Sequence, residues 1–197
     1  MTPPRPTLIA DAAIDLIAEA GLRGLTHRAV DDAAGLPAGS TSNLARTRAA
    51  LLELVLTRIV ERETADYPVL ADRGLSEVTA APRDLLAGVA AEALFQALTG
   101  GRRLTLARLE LALEATRRPE LRSVYDRLGA RFADLAADLL ARAGSTDPER
   151  DARRLIRWCD GVLFNATAGS GHWRLPMPEE LREEIDGYLV VLLGGAG

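Results

Sequence analysis

The sequence has few cysteines, few aromatic residues and no long apolar run, and each shortage excludes a class of protein. Its single cysteine, Cys159, cannot form an internal disulfide, and no cysteine or histidine pair has metal-ligand spacing. No apolar run reaches the length of a membrane span, and the N-terminus lacks the basic-then-apolar pattern of a secretory signal. We therefore expect a cytoplasmic protein with no membrane partner, no metal and no cofactor.

Strand-forming patterns are also scarce, whereas helix-forming residues are abundant. No stretch alternates apolar and polar residues over six or more positions, so we expect no β-strand. Alanine, leucine, glutamate and arginine dominate the composition, and glycines and prolines divide the chain into about nine helices. The predicted fold class is all-α.

The predicted helices fall into a short N-terminal group and a longer C-terminal group. Their approximate ranges are 7–20, 27–34, 38–45, a helix after Thr47, 82–99, 102–117, 119–143, 149–168 and 179–193. N-terminal caps are expected at Thr26, Thr47 and Asp147, whose side chains can accept from backbone N–H groups. The sequence therefore predicts a domain boundary between residues 48 and 49.

The helices at 27–34 and 38–45 have the layout of a helix-turn-helix, since a supporting helix precedes them and Gly35 lies in the turn. The second helix of such a unit enters the major groove of DNA. The net charge is −4, so positive charge for DNA must be local. Donor-rich and small residues at the helix starts make up the predicted interface: Thr26, His27, Arg28, Ala38, Gly39, Ser40, Thr41, Ser42, Asn43, Arg46, Thr47 and Arg48.

Individual roles follow from the side-chain chemistry. Arg46 and Arg48 are expected to contact phosphates and so to bind all sequences equally. Thr41 and Asn43 are expected to read bases, because a threonine methyl can contact thymine and asparagine can pair bidentately with adenine. Ser40 and Ser42 are expected nearer the DNA backbone.

Residues 9–56 carry a more specific pattern. Its positions are Ile9, Ala12, Ala13, Leu16, Ala20, Gly21, Gly24, Leu25, Thr26, Ala29, Val30, Ala33, Gly35, Leu36, Pro37, Ala38, Gly39, Ser40, Thr41, Arg46, Thr47, Arg48, Leu51 and Leu52. The pattern resembles the DNA-binding domain of the TetR family of transcriptional regulators. The resemblance implies a homodimer in which the last two helices build the subunit interface. We therefore predict a DNA-binding domain over residues 1–48 and an effector-binding and dimerisation domain over residues 49–197.

Three positions depart from that family's pattern. The family usually has a tyrosine where this chain has Ser42, a phenylalanine where it has Ala45, and a serine or threonine where it has Pro37. The tyrosine commonly touches a DNA phosphate and the phenylalanine packs the small domain. Proline is well tolerated at a first helical position.

The last two helices become apolar on every side, which in a chain without a membrane span indicates a subunit interface. The alternative is a fully intramolecular core. The predicted dimer residues are Val162, Leu163, Ala166, Leu181, Ile185, Tyr188, Leu189 and Leu192.

An effector pocket is expected in the C-terminal half, where most aromatic residues lie. Arg108 falls on an apolar helix face and needs a partner, so it is either an effector contact, half of a buried ion pair, or a side chain that reaches solvent. The other candidates, each of which has core or loop packing as its alternative, are Phe95, Trp158, Phe164, Asn165, His172 and Trp173. Cys159 is interpreted as a small buried hydrophobe.

These features predict a one-component repressor whose dimer grips a palindromic DNA operator until a small-molecule effector favours another conformation. One alternative is a small-molecule-binding helical protein with reduced or lost DNA affinity. Another is an enzyme, but the only two histidines, His27 and His172, lie far apart, and no nucleophile motif or phosphate loop is found. We expect no enzymatic activity.

Overall fold

The computed structural model describes residues 3–66 and 82–194, and these residues form nine α-helices and no strand. The all-α prediction is confirmed. The helices are α1 Arg5–Gly24, α2 His27–Ala33, α3 Ser40–Leu44, α4 Arg48–Asp66, α5 Pro82–Leu98, α6 Arg102–Ala115, α7 Pro119–Arg142, α8 Pro148–Thr167 and α9 Pro178–Leu193. Four of them begin at a proline, which costs no hydrogen bond in a first turn.

The predicted caps determine where three helices begin. Thr26 Oγ1 accepts from Ala29 N at 3.1 Å, and Thr47 Oγ1 accepts from Ala50 N at 3.1 Å. Asp147 Oδ1 accepts from Arg150 N at 3.3 Å. All three caps are confirmed. The largest differences from the predicted ranges are at α1, which is assigned four residues beyond Ala20 across a non-helical Gly21, and at α3, which begins two residues later than predicted.

The chain divides into two compact units, and each has its own core. The first unit takes the chain up to Thr64 together with Arg103–Leu128. Its core is aliphatic, with fully buried side chains such as Ile14, Leu52 and Leu111 on α1, α4 and α6. The expected domain boundary after residue 48 stays a prediction, because the units describe packing rather than function.

The second unit takes Ala65–Arg102 together with the chain from Gly129 onward. Its core is formed by α5, the second half of α7, α8 and α9, and includes the buried Leu98, Leu140 and Ile185. Cys159 packs against this core but is half-buried, so it is more exposed than the small buried hydrophobe that the sequence predicts. None of the described helices combines the length and the apolar character needed to cross a membrane.

Candidate nucleic-acid interface and ligand groove

The turn between α2 and α3 depends on two glycines. Gly35 has φ +64° and Gly39 has φ +89°, and L side chains rarely adopt either conformation. Between them, Leu36 N donates to the carbonyl of Asp31 at 2.9 Å, which closes the end of α2. The turn therefore has a defined path, and the helix-turn-helix layout predicted from the sequence is present.

Asp31 is buried between the two helices and accepts three hydrogen bonds. Its Oδ1 accepts from Thr41 N at 2.7 Å and from Thr41 Oγ1 at 2.6 Å, and its Oδ2 accepts from Gly39 N at 2.7 Å. Burial raises the pKa of Asp31, but the hydrogen bonds from Thr41 and Gly39 and the nearby His27 outweigh it and leave the pKa below its ordinary value. Asp31 is not among the residues predicted from the sequence, because an acidic side chain is not expected to contact DNA phosphates.

Thr41 has a different role from the one predicted. Its side chain is 0% exposed and its hydroxyl is bound by Asp31, so neither its methyl nor its hydroxyl reaches the surface of α3. The expectation that Thr41 reads a base is therefore wrong. The residue lies on the face of α3 that packs toward α2, where both its backbone N–H and its hydroxyl donate to Asp31.

The side chain of Arg48 also binds other parts of the protein. Its two terminal nitrogens donate to the carbonyls of Leu25 and Leu22 at 2.8 and 2.6 Å. These carbonyls lie at the end of α1, where backbone acceptors lack helical partners. Arg48 thus joins the start of α4 to the end of α1, which corrects the expectation of a phosphate contact.

His27 makes a similar connection. Its Nε2 lies 2.7 Å from the carbonyl oxygen of Ala45. A carbonyl can only accept, so Nε2 carries the proton and donates. The half-buried ring therefore links the start of α2 to the residue that follows α3.

Most of the other predicted interface residues are on the surface. The exposed ones are Thr26, Arg28, Ala38, Ser42, Asn43, Arg46 and Thr47, while Gly39 and Ser40 are half-buried. Leu44, which is not among the predicted residues, is 45% exposed at the end of α3. An exposed leucine beside Ser42 and Asn43 gives this surface one apolar contact among polar ones.

The effector candidates separate into two groups. Trp158, Asn165 and Trp173 line a groove of about 780 Å³ in the second unit. Phe95, Phe164, His172 and Arg108 do not line it. Arg108 belongs to the first unit, where its Nε lies 3.5 Å from Glu63 Oε1, so the structure supports the ion-pair alternative for this residue.

The groove is formed by α8, the loop after it and the first half of α9. Trp158 stacks on Tyr188 with ring centroids 5.9 Å apart, while Trp173 is 77% exposed. The groove lining contains three glutamates and two arginines, which leaves one negative charge in excess. The lining residues are Arg157, Trp158, Gly161, Val162, Asn165, Ala166, Gly171, Trp173, Arg174, Pro176, Glu180, Glu183 and Glu184.

Most of the predicted dimer residues on α8 and α9 are buried in the core of the second unit. Leu181, Ile185 and Leu189 are 0% exposed, since α9 packs on α5, and Leu163, Ala166 and Leu192 are also buried. Those six residues are therefore corrected from interface to core, while Val162 and Tyr188 are half-buried. The sequence pattern could not distinguish the apolar residues that face the core from those that face outward. The outward-facing apolar residues of these two helices are Phe164, Val190 and Val191.

Comparison with known proteins gives a consistent family. Residues 81–195 match the model of the tetracyclin repressor-like C-terminal domain. A TetR-family member from Streptomyces coelicolor A3 is 31% identical, with a TM-score of 0.70 and coverage of 97% of this chain and 99% of that one. The multidrug binding protein EbrR, complexed with ethidium, is 32% identical, with a TM-score of 0.67 and coverage of 94% and 98%.

A more distant structure has the same fold. A transcriptional regulator from Rhodococcus sp. Rha1 is 23% identical, with a TM-score of 0.78 and coverage of 96% of both chains. The comparison with curated proteins finds no match.

Proposed function

Because the chain belongs to the TetR family of transcriptional regulators, we propose that it is a cytoplasmic repressor that binds operator DNA as a homodimer and releases it when a small organic molecule binds. The observation that carries the proposal is the exposed end of α3, where Ser42, Asn43 and Leu44 stand together on a helix fixed by its other face. A helix presented in this way fits the major groove.

The charge around α3 supports DNA as the partner. Residues 23–48 contain four arginines and two aspartates, although the whole chain has a net charge of −4. One of those aspartates, Asp31, is buried and bound by three donors, which reduces its repulsion of phosphates. Arg28 and Arg46 are exposed and take the phosphate-contacting role in this proposal.

Sequence readout is assigned to Asn43 and Leu44. Asparagine can pair with the N6 and N7 edge of adenine, and an exposed aliphatic side chain can contact the methyl group of thymine. Leu44 thus takes the role first expected of Thr41. The test is selection from random duplexes followed by a gel shift, in which wild type is expected to enrich a twofold-symmetric sequence. Absence of enrichment over non-specific DNA would favour the alternative, a ligand-binding protein that has lost DNA affinity.

The homodimer is supported by exposed apolar side chains on the last two helices. Phe164 is 53% exposed and Val191 is 63% exposed, whereas apolar residues of the same helices are otherwise largely buried. In this proposal these side chains are covered by the second subunit, because exposed apolar surface often marks a protein–protein contact. We expect light scattering to give twice the 21.1 kDa chain mass.

Substitution can separate this surface from exposed apolar residues elsewhere. Val191→Arg should yield the 21.1 kDa monomer with unchanged helix content, because it places a charge at the subunit contact. Leu113→Arg is the matched control, since Leu113 is 59% exposed on α6 and lies outside the proposed contact. A dimer that survives Val191→Arg but dissociates with Leu113→Arg would place the interface elsewhere.

The groove is the candidate effector site. Its volume suits a drug-sized molecule, and tryptophan rings with nearby carboxylates suit a planar organic cation. EbrR, which is similar to this chain, has structures with ethidium, proflavin and malachite green. In the full proposal such a ligand binds one conformation better and thereby weakens DNA binding.

Tryptophan fluorescence tests the site directly, because the chain has two tryptophans and both line the groove. Ethidium added without DNA should quench the emission of Trp158→Phe and Trp173→Phe variants alike, since each retains one reporter. Glu183→Gln should weaken ethidium binding, while Glu179→Gln, outside the groove on the same helix, should not. Equal binding by both glutamate variants would remove the groove from the proposal.

A further inference from the structure

We propose that Asp31 is the positioning residue of the DNA interface: its carboxylate, through three hydrogen bonds, sets the place of α3 on α2 and so aims Asn43 and Leu44. The inference rests on the proposed DNA binding. Asp31 does not touch DNA in this account, and its effect on affinity passes through the orientation of α3.

The N-terminus of α3 supplies the first reason. A helix begins with N–H groups that have no helical acceptor, and its N-cap side chain normally accepts from them. The N-cap of α3 is Gly39, which has no side chain. Asp31 provides the missing acceptor from the neighbouring helix, with bonds of 2.7 Å from both Gly39 N and Thr41 N.

The lack of apolar attachment supplies the second reason. Among the five residues of α3, only Thr41 is buried, and its hydroxyl donates to Asp31. Leu44, the one large aliphatic residue of the helix, is exposed instead. A helix of five residues has little stability of its own, so its orientation depends on these directional bonds.

Two neighbouring aspartates give a matched test. Asp31→Asn and Asp32→Asn each remove one negative charge from α2, and Asp32 is exposed with only a 3.9 Å ion pair to Arg28. If the two carboxylates acted only by repelling phosphates, both changes would tighten DNA binding. The asparagine amide at position 31 cannot accept on both sides, because its NH2 group would face a donor. We expect Asp31→Asn to weaken operator binding at least about tenfold and Asp32→Asn to leave it equal or tighter.

Weaker DNA binding by Asp31→Asn could come from a misplaced α3 or from partial unfolding. The ratio of operator affinity to non-specific affinity distinguishes the two causes. Partial unfolding lowers both affinities by the same factor, whereas a misplaced α3 lowers the operator affinity and spares non-specific phosphate binding. We expect the ratio to fall for Asp31→Asn at a temperature where circular dichroism shows native helix content. An unchanged ratio, or tighter operator binding by Asp31→Asn, would overturn the proposal.

Thr41 gives a second test that keeps the carboxylate. Thr41→Val removes only the hydroxyl donor, and Thr41→Ser retains it, so serine should preserve the operator ratio and valine should lower it. Equal ratios for the two variants would contradict the role of this bond. If wild-type protein shows no operator preference, the proposed function fails. If wild-type protein and the Asp31→Asn variant discriminate equally well, only the positioning role of Asp31 fails.

Discussion

The segment α3 and the helix α9 are held in place by opposite kinds of contact. Helix α9 buries a stripe of aliphatic side chains, Leu181, Ile185, Leu189 and Leu192, against the rest of the second unit. Helix α3 buries only Thr41 and is fixed by the carboxylate of Asp31. Apolar burial is strong but non-directional, whereas hydrogen bonds are directional. The comparison indicates that α9 contributes stability and that α3 is built for orientation.

The largest expected effect comes from the apolar side of this comparison. Ile185→Ala should lower the free energy of unfolding by about 2–5 kcal/mol, because it leaves a cavity in a fully buried site. Urea titration followed by circular dichroism measures the change. Leu113→Ala is the control and should stay within about 0.5 kcal/mol, because Leu113 is 59% exposed and lies outside the proposed subunit contact. Similar losses for the two variants would show that the buried stripe of α9 contributes no more to stability than an exposed leucine.

The next largest effect distinguishes Arg46 from Arg48, for which the sequence predicts the same phosphate-contacting role. Arg48→Ala should destabilise the protein by about 1.5–3 kcal/mol, since it removes charge-assisted bonds to the carbonyls of Leu22 and Leu25. Arg46 is exposed, so Arg46→Ala should leave stability unchanged and reduce the salt dependence of DNA binding by about one unit of slope. Thermal unfolding and binding at several salt concentrations check the pair, and reversed results would restore Arg48 as a phosphate contact.

A smaller effect tests the polar side of the comparison. Asn43→Ala should cost about 1–3 kcal/mol of discrimination at one base pair of each half-site, because a bidentate contact to adenine is lost. The salt dependence should hardly change. Selection from random duplexes with both proteins makes the measurement, and identical sequence preferences would show that Asn43 does not read a base.

The sequence predicted most of the fold because its signals are local. Proline starts, glycine ends and the caps Thr26, Thr47 and Asp147 act within a few residues, and they mark helix boundaries whatever surrounds the helix. Partner choice is not local. The sequence does not show which apolar residues of α9 face the core and which face outward. The packing of α9 on α5 shows that Leu181, Ile185 and Leu189 belong to the core.

The site was predicted less completely for the same reason. Donor residues near α3 were found by composition, but Thr41 and Arg48 have partners 10 and 23 or more residues away. The burial of Asp31 could not be predicted from residue spacing, because a buried acid is stabilised by the hydrogen-bond donors that surround it in the folded chain. The exposure of Leu44 could not be predicted, because a leucine in a helix is usually buried and only the packing of the chain shows that this one is not.

The most direct test of the central claim is a titration of wild-type protein against its selected duplex and a scrambled duplex of equal length. The account predicts two chains bound per selected duplex, with an affinity at least about 10³-fold above that for the scrambled one at physiological salt. Equal affinities for the two duplexes would contradict it.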